Sequence, residues 1–297
     1  MNKKKLQSLK VGIVGEPNSG KSTLLNTILK KKYTIVSRKA QTTIKNSIAT
    51  LSIEGKQIIF SDTPGIAPYK KYLERSILKE TTNTVLDAHI IVLVLDIKKN
   101  KIEDIEEIIK YYDNLEVDIV VALNKIDLLS NNSFLVKVEQ IKKKLKSKIV
   151  FSISASKNLG VKELISYITK SKKFVNSSII ENVDLSTDKN YLKEIVREKI
   201  LNNIHQEIPF NLKFITDKVK KNKDKSITVY ITIILNKSSY KPIILGKKGA
   251  NIKKISMQAR KDLEKNLKKK YHLYIYLKTQ SNKKNKFKKV SKNDNLG

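Results

Sequence analysis

The 297-residue chain has no cysteine, no tryptophan, nine glycines and five prolines. Without cysteine it can form neither disulfide bonds nor zinc–thiolate sites, and its three histidines are too scattered to suggest a metal cluster. Long apolar runs are also missing: the most hydrophobic stretch, 88–95, is far shorter than the roughly 20 residues that span a bilayer. The basic segment 1–10 is not followed by an apolar signal core. We therefore expect a cytoplasmic protein.

Acidic residues are scarce relative to basic ones. The chain has 61 Lys and Arg against 28 Asp and Glu, a formal net charge of +33. This excess indicates a polyanionic partner, nucleic acid first and an anionic membrane surface second. The alternative is a proteome rich in lysine throughout, in which case many of these side chains are simply solvated.

Residues 9–174 alternate short apolar runs with amphipathic helices. This pattern is typical of an α/β domain whose mostly parallel sheet carries helices on both faces. The predicted strands are 9–14, 44–53, 57–61, 89–95, 117–123 and 148–153, with a hairpin between the second and third. The first predicted helix begins at Lys21, and further helices are predicted near 72–86, 102–115, 134–145 and 161–172. We predict one nucleotide-binding domain.

A polar stretch at 175–188 is predicted to be a linker to a second, α+β domain at 189–279. The predicted elements there are a helix at 189–206 ended by Pro209, strands at 210–219 and 226–235, helices at 240–245 and 251–267, and a strand at 272–277. Their order is α-β-β-α-α-β. The lysine-rich tail, 280–297, lacks periodicity and is predicted to be disordered until it binds a partner.

The segment GEPNSGKS at 15–22 fits the phosphate-binding pattern G-x-x-x-x-G-K-[ST], between a predicted strand and a predicted helix. In such a loop the backbone wraps the phosphates, Lys21 reaches the β and γ oxygens, and the Ser22 hydroxyl ligates Mg²⁺. The candidate nucleotide-binding residues of this segment are Gly15, Glu16, Pro17, Asn18, Ser19, Gly20, Lys21, Ser22 and Thr23.

The segment NKID at 124–127 indicates which base is bound, because it follows a predicted strand at the sheet edge where ligands bind. Asp127 could accept hydrogen bonds from the N1 and N2 groups of guanine, which adenine cannot offer. Lys125 would lie along the base, and Asn124 would tie this loop to the phosphate loop. After the next strand, Ser154, Ala155 and Ser156 could present a backbone N–H to guanine O6.

A third segment, DTPG at 62–65, also follows a strand. Asp62 would hold Mg²⁺ through water, with Thr63 and Pro64 beside it, and the Gly65 N–H would meet the γ-phosphate. In the loop before the hairpin we expect Thr43, with Thr42 next, to reach Mg²⁺ when the γ-phosphate is present. Lys21, Thr43 and Gly65 are therefore the candidate catalytic residues, with Ile66 also at the nucleotide.

These segments, in this order, resemble the translation-factor-like branch of P-loop GTPases. The resemblance implies a GTP and GDP site with Mg²⁺. Where GTPases of the Ras type have a glutamine that orients the attacking water, this chain has Ile66. Several families with that replacement and an asparagine at the position of Asn18 are assisted by K⁺, so K⁺ activation is a hypothesis here.

The segment GKKG at 246–249 joins a short predicted helix to a longer one within the α-β-β-α-α-β order. It resembles a KH domain of the prokaryotic type (type II), whose GXXG loop clamps about four single-stranded nucleotides. The resemblance places Lys247 and Lys248 against phosphates. The candidate RNA-binding residues are Ile244, Gly246, Lys247, Lys248, Gly249, Ile252 and Lys253, with Ile244 and Ile252 lining the groove for bases. A helix–turn–helix in an ordinary basic domain is the alternative.

A GTPase domain followed by a KH domain resembles the Era family of bacterial GTPases, and the likeness covers nearly the whole chain. The segments that carry it are SRKAQTT at 37–43, TDKN at 187–190, REKIL at 197–201, EIP at 207–209 and LGKKGANIKKI at 245–255. The resemblance implies binding near the 3′ end of 16S rRNA, a role in biogenesis of the 30S subunit and 16S rRNA processing, and weak peripheral association with the inner membrane. We expect a monomer. Two features depart from the family: Ile44 replaces its usual arginine, and a run of lysines (Lys283, Lys284, Lys286, Lys288 and Lys289) replaces its acidic, Trp-containing C-terminal end.

Two other functions fit the same residues. One is a membrane-surface signalling GTPase whose basic tail binds anionic lipid. The other is a module that holds GTP without turning it over, motivated by Ile66.

Overall fold

The computed structural model describes residues 6–30, 47–62, 87–100, 117–129, 131–145, 148–177, 184–204 and 208–279, together with positions 103, 105, 106, 109 and 110. The predicted helix at 72–86, the tail at 280–297 and the site residues Thr42, Thr43, Thr63, Pro64, Gly65 and Ile66 lie outside these residues.

A seven-stranded sheet organises the first half of the chain. Its strands are β1 (Leu6–Val14), β2 (Ser47–Ile53), β3 (Lys56–Asp62), β4 (Ile90–Asp96), β5 (Asp118–Asn124), β6 (Ile149–Ser152) and β7 (Val175–Ser177). They are ordered β2-β3-β1-β4-β5-β6, with β7 pairing with the start of β1. The β2–β3 and β1–β7 pairs are antiparallel, and the other pairs are parallel.

Apolar side chains on both faces of this sheet explain why the central strands read as continuous apolar runs. On β4, for example, Ile90, Val92 and Val94 face one core and Ile91, Leu93 and Leu95 face the other. Helices α1 (Lys21–Ile28) and α3 (Val161–Thr169) cover the first face, and α2 (Asn131–Lys144) covers the second. The predicted mostly parallel sheet with helices on both faces is confirmed.

The second unit has the predicted order α-β-β-α-α-β. Its elements are α4 (Lys189–Asn203), β8 (Leu212–Lys221), β9 (Ile227–Leu235), α5 (Tyr240–Leu245), α6 (Ala250–Leu267) and β10 (Tyr271–Thr279). The sheet order is β10-β9-β8, with β9 parallel to β10 and antiparallel to β8. Side chains from one face of this sheet and from all three helices form a separate core.

Several element ends differ from the sequence predictions by one to three residues, and two differences have a clear physical reason. Residues 175–177, placed in the linker, form β7, because pairing with Leu6–Ser8 satisfies their backbone groups. Helix α4 ends at Asn203, before Pro209, since Ile204 already has an extended backbone; Pro209 lies in a separate 3₁₀ turn, Ile208–Asn211. The start of α4 is as predicted, with the Asp188 carboxylate accepting from the Tyr191 N–H at 2.6 Å.

Among the helices that the structure describes, none has the length and apolar character needed to cross a bilayer.

Candidate nucleotide site and RNA-binding loop

The phosphate loop follows β1 and leads into α1. Its glycines are required by close neighbours: a Cβ on Gly15 would collide with the Val94 carbonyl oxygen, and one on Gly20 with the Asn124 side-chain amide. Both glycines also have positive φ, +143° and +103°. The loop is therefore packed directly against the carboxyl ends of β4 and β5.

Lys21, the first residue of α1, is 6% exposed. Its Nζ donates to the Gly15 and Glu16 carbonyl oxygens at 3.0 and 2.9 Å, so the ammonium lies over the phosphate loop. Burial lowers the pKa of Lys21 to about 8, although the Asp62 and Glu16 carboxylates act in the opposite direction. A phosphate in this loop would supply the negative charge that favours the protonated form.

Ser22 and Asp62 form the part of the site that fits a divalent cation. The Ser22 hydroxyl donates to Asp62 Oδ2 at 2.8 Å. Asp62 is fully buried, and its other oxygen, Oδ1, has no hydrogen-bond partner among the described residues. Burial raises the pKa of Asp62 to about 6, against the effects of Lys21 and of the Ser22 hydrogen bond. A hard cation such as Mg²⁺ suits this pair, because it would compensate the buried carboxylate with oxygen ligands.

Asn124, the last residue of β5, joins three segments of the site. Its Nδ2 donates to the Ser19 carbonyl oxygen at 2.8 Å, and its Oδ1 accepts from the Ala155 N–H at 2.9 Å. The side chain is 2% exposed. The predicted tie between this loop and the phosphate loop is present.

Lys125 makes a second link across the site. It has a left-handed backbone (φ 68°), and its Nζ donates to the Asn18 carbonyl oxygen and to Asp96 Oδ2, both at 2.6 Å. Asn18 is exposed at the rim of the phosphate loop, with Pro17 half-buried beside it. The lysine stem thus runs between the phosphate loop and the end of β4.

The surface predicted to read guanine is formed by Asp127 and the loop after β6. Asp127 is exposed, and its Oδ2 accepts from the Ser156 hydroxyl at 3.5 Å. The N–H groups of Ser154 and Ala155 already donate within the protein, to the Leu159 carbonyl oxygen at 3.0 Å and to Asn124. These two hydrogen bonds shape the loop, and a backbone donor to guanine O6 from residues 154–156 stays a prediction.

Sequence reasoning missed the residues at the end of β4. Asn100 is 3% exposed; its Nδ2 donates to Glu16 Oε2 at 2.7 Å, and its Oδ1 accepts from the Asp96 N–H at 3.0 Å. Asp96 also binds Lys125. This short segment therefore braces both the phosphate loop and the NKID loop. The signal was present in the sequence as polar residues directly after a buried parallel strand, at the edge where ligands bind.

The GKKG loop connects α5 to α6, and three of its four residues have a left-handed or otherwise unusual backbone conformation. Gly246 (φ 72°, ψ 175°), Lys248 (φ 51°) and Gly249 (φ 77°) all have positive φ. The turn is closed by the Gly249 N–H, which donates to the Gly246 carbonyl oxygen at 3.1 Å, and both lysine side chains are exposed. The loop thus presents two ammonium groups beside the N-terminus of α6, an arrangement suited to phosphates.

Ile244 and Ile252 were predicted to line the groove for bases. The prediction is wrong for Ile244. It is fully buried in the second core, because α5 turns that side chain inward, and the exposed neighbour is Ile243 at 46%. Ile252 is half-buried against the same core, and Lys253 is exposed. Ile244 supports the loop from inside.

A phosphate loop, a serine hydrogen-bonded to a buried aspartate and an NKxD loop at one sheet edge define a P-loop GTPase, here followed by a KH domain. Family comparisons agree: the family described as "50S ribosome-binding GTPase" matches residues 10–125, and the family described as "KH domain" matches 212–285. Relatives that match nearly the whole chain identify the family of GTPases to which this protein belongs. The protein belongs to the Era family of GTPases and hydrolyses GTP.

Two of those relatives are curated bacterial proteins. GTPase Era of Ehrlichia canis (strain Jake) is 35% identical over 270 residues, 90% of each chain. GTPase Era of Rickettsia prowazekii (strain Madrid E) is 34% identical over 278 residues, 92% of each chain.

Solved structures of Era proteins are also similar. A variant of Aquifex aeolicus Era bound to GDP and AlF₄⁻ has a TM-score of 0.81 at 31% identity, covering 93% of this chain and 94% of the other. Era in complex with MgGDPNP and nucleotides 1506–1542 of 16S ribosomal RNA has a TM-score of 0.80 at 30% identity, with the same coverage. Both of these Era proteins thus hold a guanine nucleotide, and the second holds Mg²⁺ as well.

Proposed function

We propose that this GTPase binds single-stranded RNA near the 3′ end of 16S rRNA through its GKKG loop and acts in biogenesis of the 30S subunit and 16S rRNA processing. The observation that carries the proposal is the loop itself: a positive-φ turn with two exposed lysines at the start of α6. The similar Era structure that contains a 16S rRNA fragment supports the same assignment.

The roles proposed for the nucleotide site follow its geometry. Lys21 neutralises the β- and γ-phosphates, and Ser22 and Asp62 hold Mg²⁺. Asp127 reads the guanine edge from its exposed position. Thr43 and Gly65 complete the site around the γ-phosphate; both remain sequence-based assignments.

We further propose that GTP gates RNA binding, with the segments around Thr43 and Gly65 responding to the γ-phosphate. The test is to measure the affinity for a single-stranded oligonucleotide of the organism's own rRNA 3′ end, with GDP and with a non-hydrolysable GTP analogue. Equal affinities in both nucleotide states would refute the coupling and leave RNA binding itself intact.

The variant for this test is best placed at Gly249. A Cβ on Gly246 would meet the Asn251 backbone nitrogen at 2.9 Å, so substitution there disturbs the start of α6. At Gly249 a Cβ meets nothing within 4 Å, and asparagine and aspartate tolerate positive φ better than other residues. We expect Gly249→Asp to bind RNA far more weakly than its neutral isostere Gly249→Asn, because only the carboxylate repels phosphates.

The same pair of variants separates RNA from lipid as the anionic partner. If vesicles containing anionic lipid bind wild type and Gly249→Asp equally, and neither binds the oligonucleotide, the protein is a membrane-surface GTPase instead. Crosslinking in cells, followed by sequencing of the attached RNA, tests the assignment to 16S rRNA and the small subunit directly.

The hypothesis of K⁺ activation concerns Asn18, which is exposed at the rim of the phosphate loop. Faster GTP hydrolysis in K⁺ than in Na⁺ at equal ionic strength is the expected result, and equal rates would exclude it.

A further inference from the structure

The sheet of the KH domain has an outer face that its helices leave uncovered. On β9, Ile227, Val229, Ile231, Ile233 and Leu235 all point into the core, so the alternate positions between them lie on the other face. The strand register shows which residues of the three strands share this outer face. They are Lys213, Ile215, Lys218 and Lys220 on β8; Thr228, Tyr230, Thr232 and Ile234 on β9; and His272, Tyr274, Tyr276 and Lys278 on β10.

Three tyrosines form a stack on this outer face. Tyr274 lies directly opposite Tyr230, with ring centroids 5.1 Å apart and planes 14° from parallel. Tyr276 is stacked on the same Tyr230 ring at 6.5 Å and 7°. Tyr274 and Tyr276 are each 48% exposed, so flat aromatic surface remains open to solvent on both.

Such an aromatic surface is unusual unless something covers it. An exposed tyrosine alone needs no explanation, but three near-parallel rings offer the π-surface on which a further flat ring can stack. Nucleobases stack on aromatic side chains in this way in several single-strand-binding folds, with little dependence on base identity.

The charges on the outer face favour a polyanion. The three strands contain five lysines and a single acidic residue, Asp217. Asp217 lies at the β-bulge of β8, where its carboxylate accepts from the Thr232 hydroxyl at 2.7 Å. Lys213, Lys218 and Lys220 are exposed along β8, beside the tyrosine stack, and Lys278 is exposed on β10.

We propose that this outer face, which we call the tyrosine face, is a second binding surface for single-stranded RNA: bases stack on Tyr274 and Tyr276, and the lysines of β8 contact phosphates. It is distinct from the GKKG loop, which leads into α6, a helix packed on the opposite side of the sheet through Ile255, Ala259 and Leu263. The inference extends the proposed RNA-binding function but does not depend on the loop, because each surface can be removed separately.

Photo-crosslinking tests the contact directly. The full-length protein is irradiated with a single-stranded dodecanucleotide that carries 5-iodouridine, digested with trypsin and analysed by mass spectrometry. We expect crosslinks in the peptide 271–278, which contains both exposed tyrosines between Lys270 and Lys278. A tetranucleotide, about the length that a GXXG loop clamps, serves as the short control.

Binding measurements then test the energetics. The double variant Tyr274→Thr, Tyr276→Thr removes the rings but keeps residues suited to strands, and we expect it to bind the dodecanucleotide about tenfold more weakly. The double variant Tyr274→Phe, Tyr276→Phe keeps the rings and should bind like the wild type. Urea unfolding of both variants shows whether the domain remains folded.

A matched charge control isolates the role of the lysines. Replacing Lys213, Lys218 and Lys220 by glutamine should reduce the slope of log affinity against log salt by about two. Replacing Lys162, Lys170 and Lys172, which are exposed in the GTPase domain, by glutamine changes net charge equally and should leave the slope near its wild-type value.

The proposal is overturned if the peptide 271–278 is not crosslinked and the threonine variant binds the dodecanucleotide as the wild type does. If Gly249→Asp still abolishes binding in that case, the loop function stands without the tyrosine face. If instead the crosslinks persist in Gly249→Asp and only the threonine variant loses them, the tyrosine face binds RNA independently of the loop.

Discussion

Asn124 offers a sharp test of how the nucleotide site is assembled. Its side chain is buried and makes two hydrogen bonds, one to the Ser19 carbonyl oxygen in the phosphate loop and one from the Ala155 N–H. In Asn124→Ala both backbone groups lose their partner. An unsatisfied buried polar group costs about 1–3 kcal/mol, so the two together should lower the free energy of unfolding of the GTPase domain by about 2–6 kcal/mol.

The affinity for nucleotide should fall as well, because Asn124 holds the phosphate loop and the loop after β6 in register. If only about 1.4 kcal/mol of that loss is expressed in binding, affinity for GDP falls tenfold. Fluorescence titration with a labelled GDP measures the affinity, and urea unfolding measures the stability.

Two variants make the test decisive. Asn124→Asp has nearly the same size but places a carboxylate oxygen against the Ser19 carbonyl oxygen, so it should bind GDP at least as poorly as the alanine variant. Asn203→Ala removes a similar pair of hydrogen bonds, to Lys199 and Gln258, in the KH domain, and should leave GDP affinity unchanged. Wild-type affinity in Asn124→Asp would refute the reasoning.

Three further predictions concern single groups. Because the pKa of buried Lys21 is about 8, GDP binding should take up about half a proton at pH 8 and less at pH 7; calorimetry in buffers of different ionisation enthalpy measures this, and uptake that does not rise with pH would contradict it. Asp127→Asn should shift preference from guanine towards xanthine nucleotides in competition binding, and an unchanged preference would mean that the base pocket lies elsewhere. Tyr271→Phe should lower the stability of the KH domain to urea by about 1 kcal/mol, because the buried hydroxyl donates to the Ser186 carbonyl oxygen at 3.0 Å, and GDP affinity should not change.

The sequence predicted the order and type of the described elements well, for physical reasons. Strands such as β4 are covered on both faces and therefore read as unbroken apolar runs. Helix α5 was predicted with its observed bounds and ends before Gly246, whose positive φ of 72° suits glycine. Element ends were less accurate where pairing decides them: β7 exists because the start of β1 offers an open edge, which no local pattern in 175–177 reveals.

For the candidate sites, the sequence by itself determined which chemistry is present. The segments GEPNSGKS, NKID and GKKG could be recognised from the sequence because each is a short run of neighbouring residues. Their glycines allow unusual backbone angles, and their lysines supply positive charge.

Only the tertiary structure decided how these segments meet. Asn100 and Asp96 brace the site from β4 because parallel strands bring their carboxyl ends to one edge. Ile244 turned out to be core, since the direction of a helical side chain depends on what the helix packs against. The stack of Tyr230, Tyr274 and Tyr276 likewise depends on the register of β9 and β10, which the sequence does not contain in any local pattern.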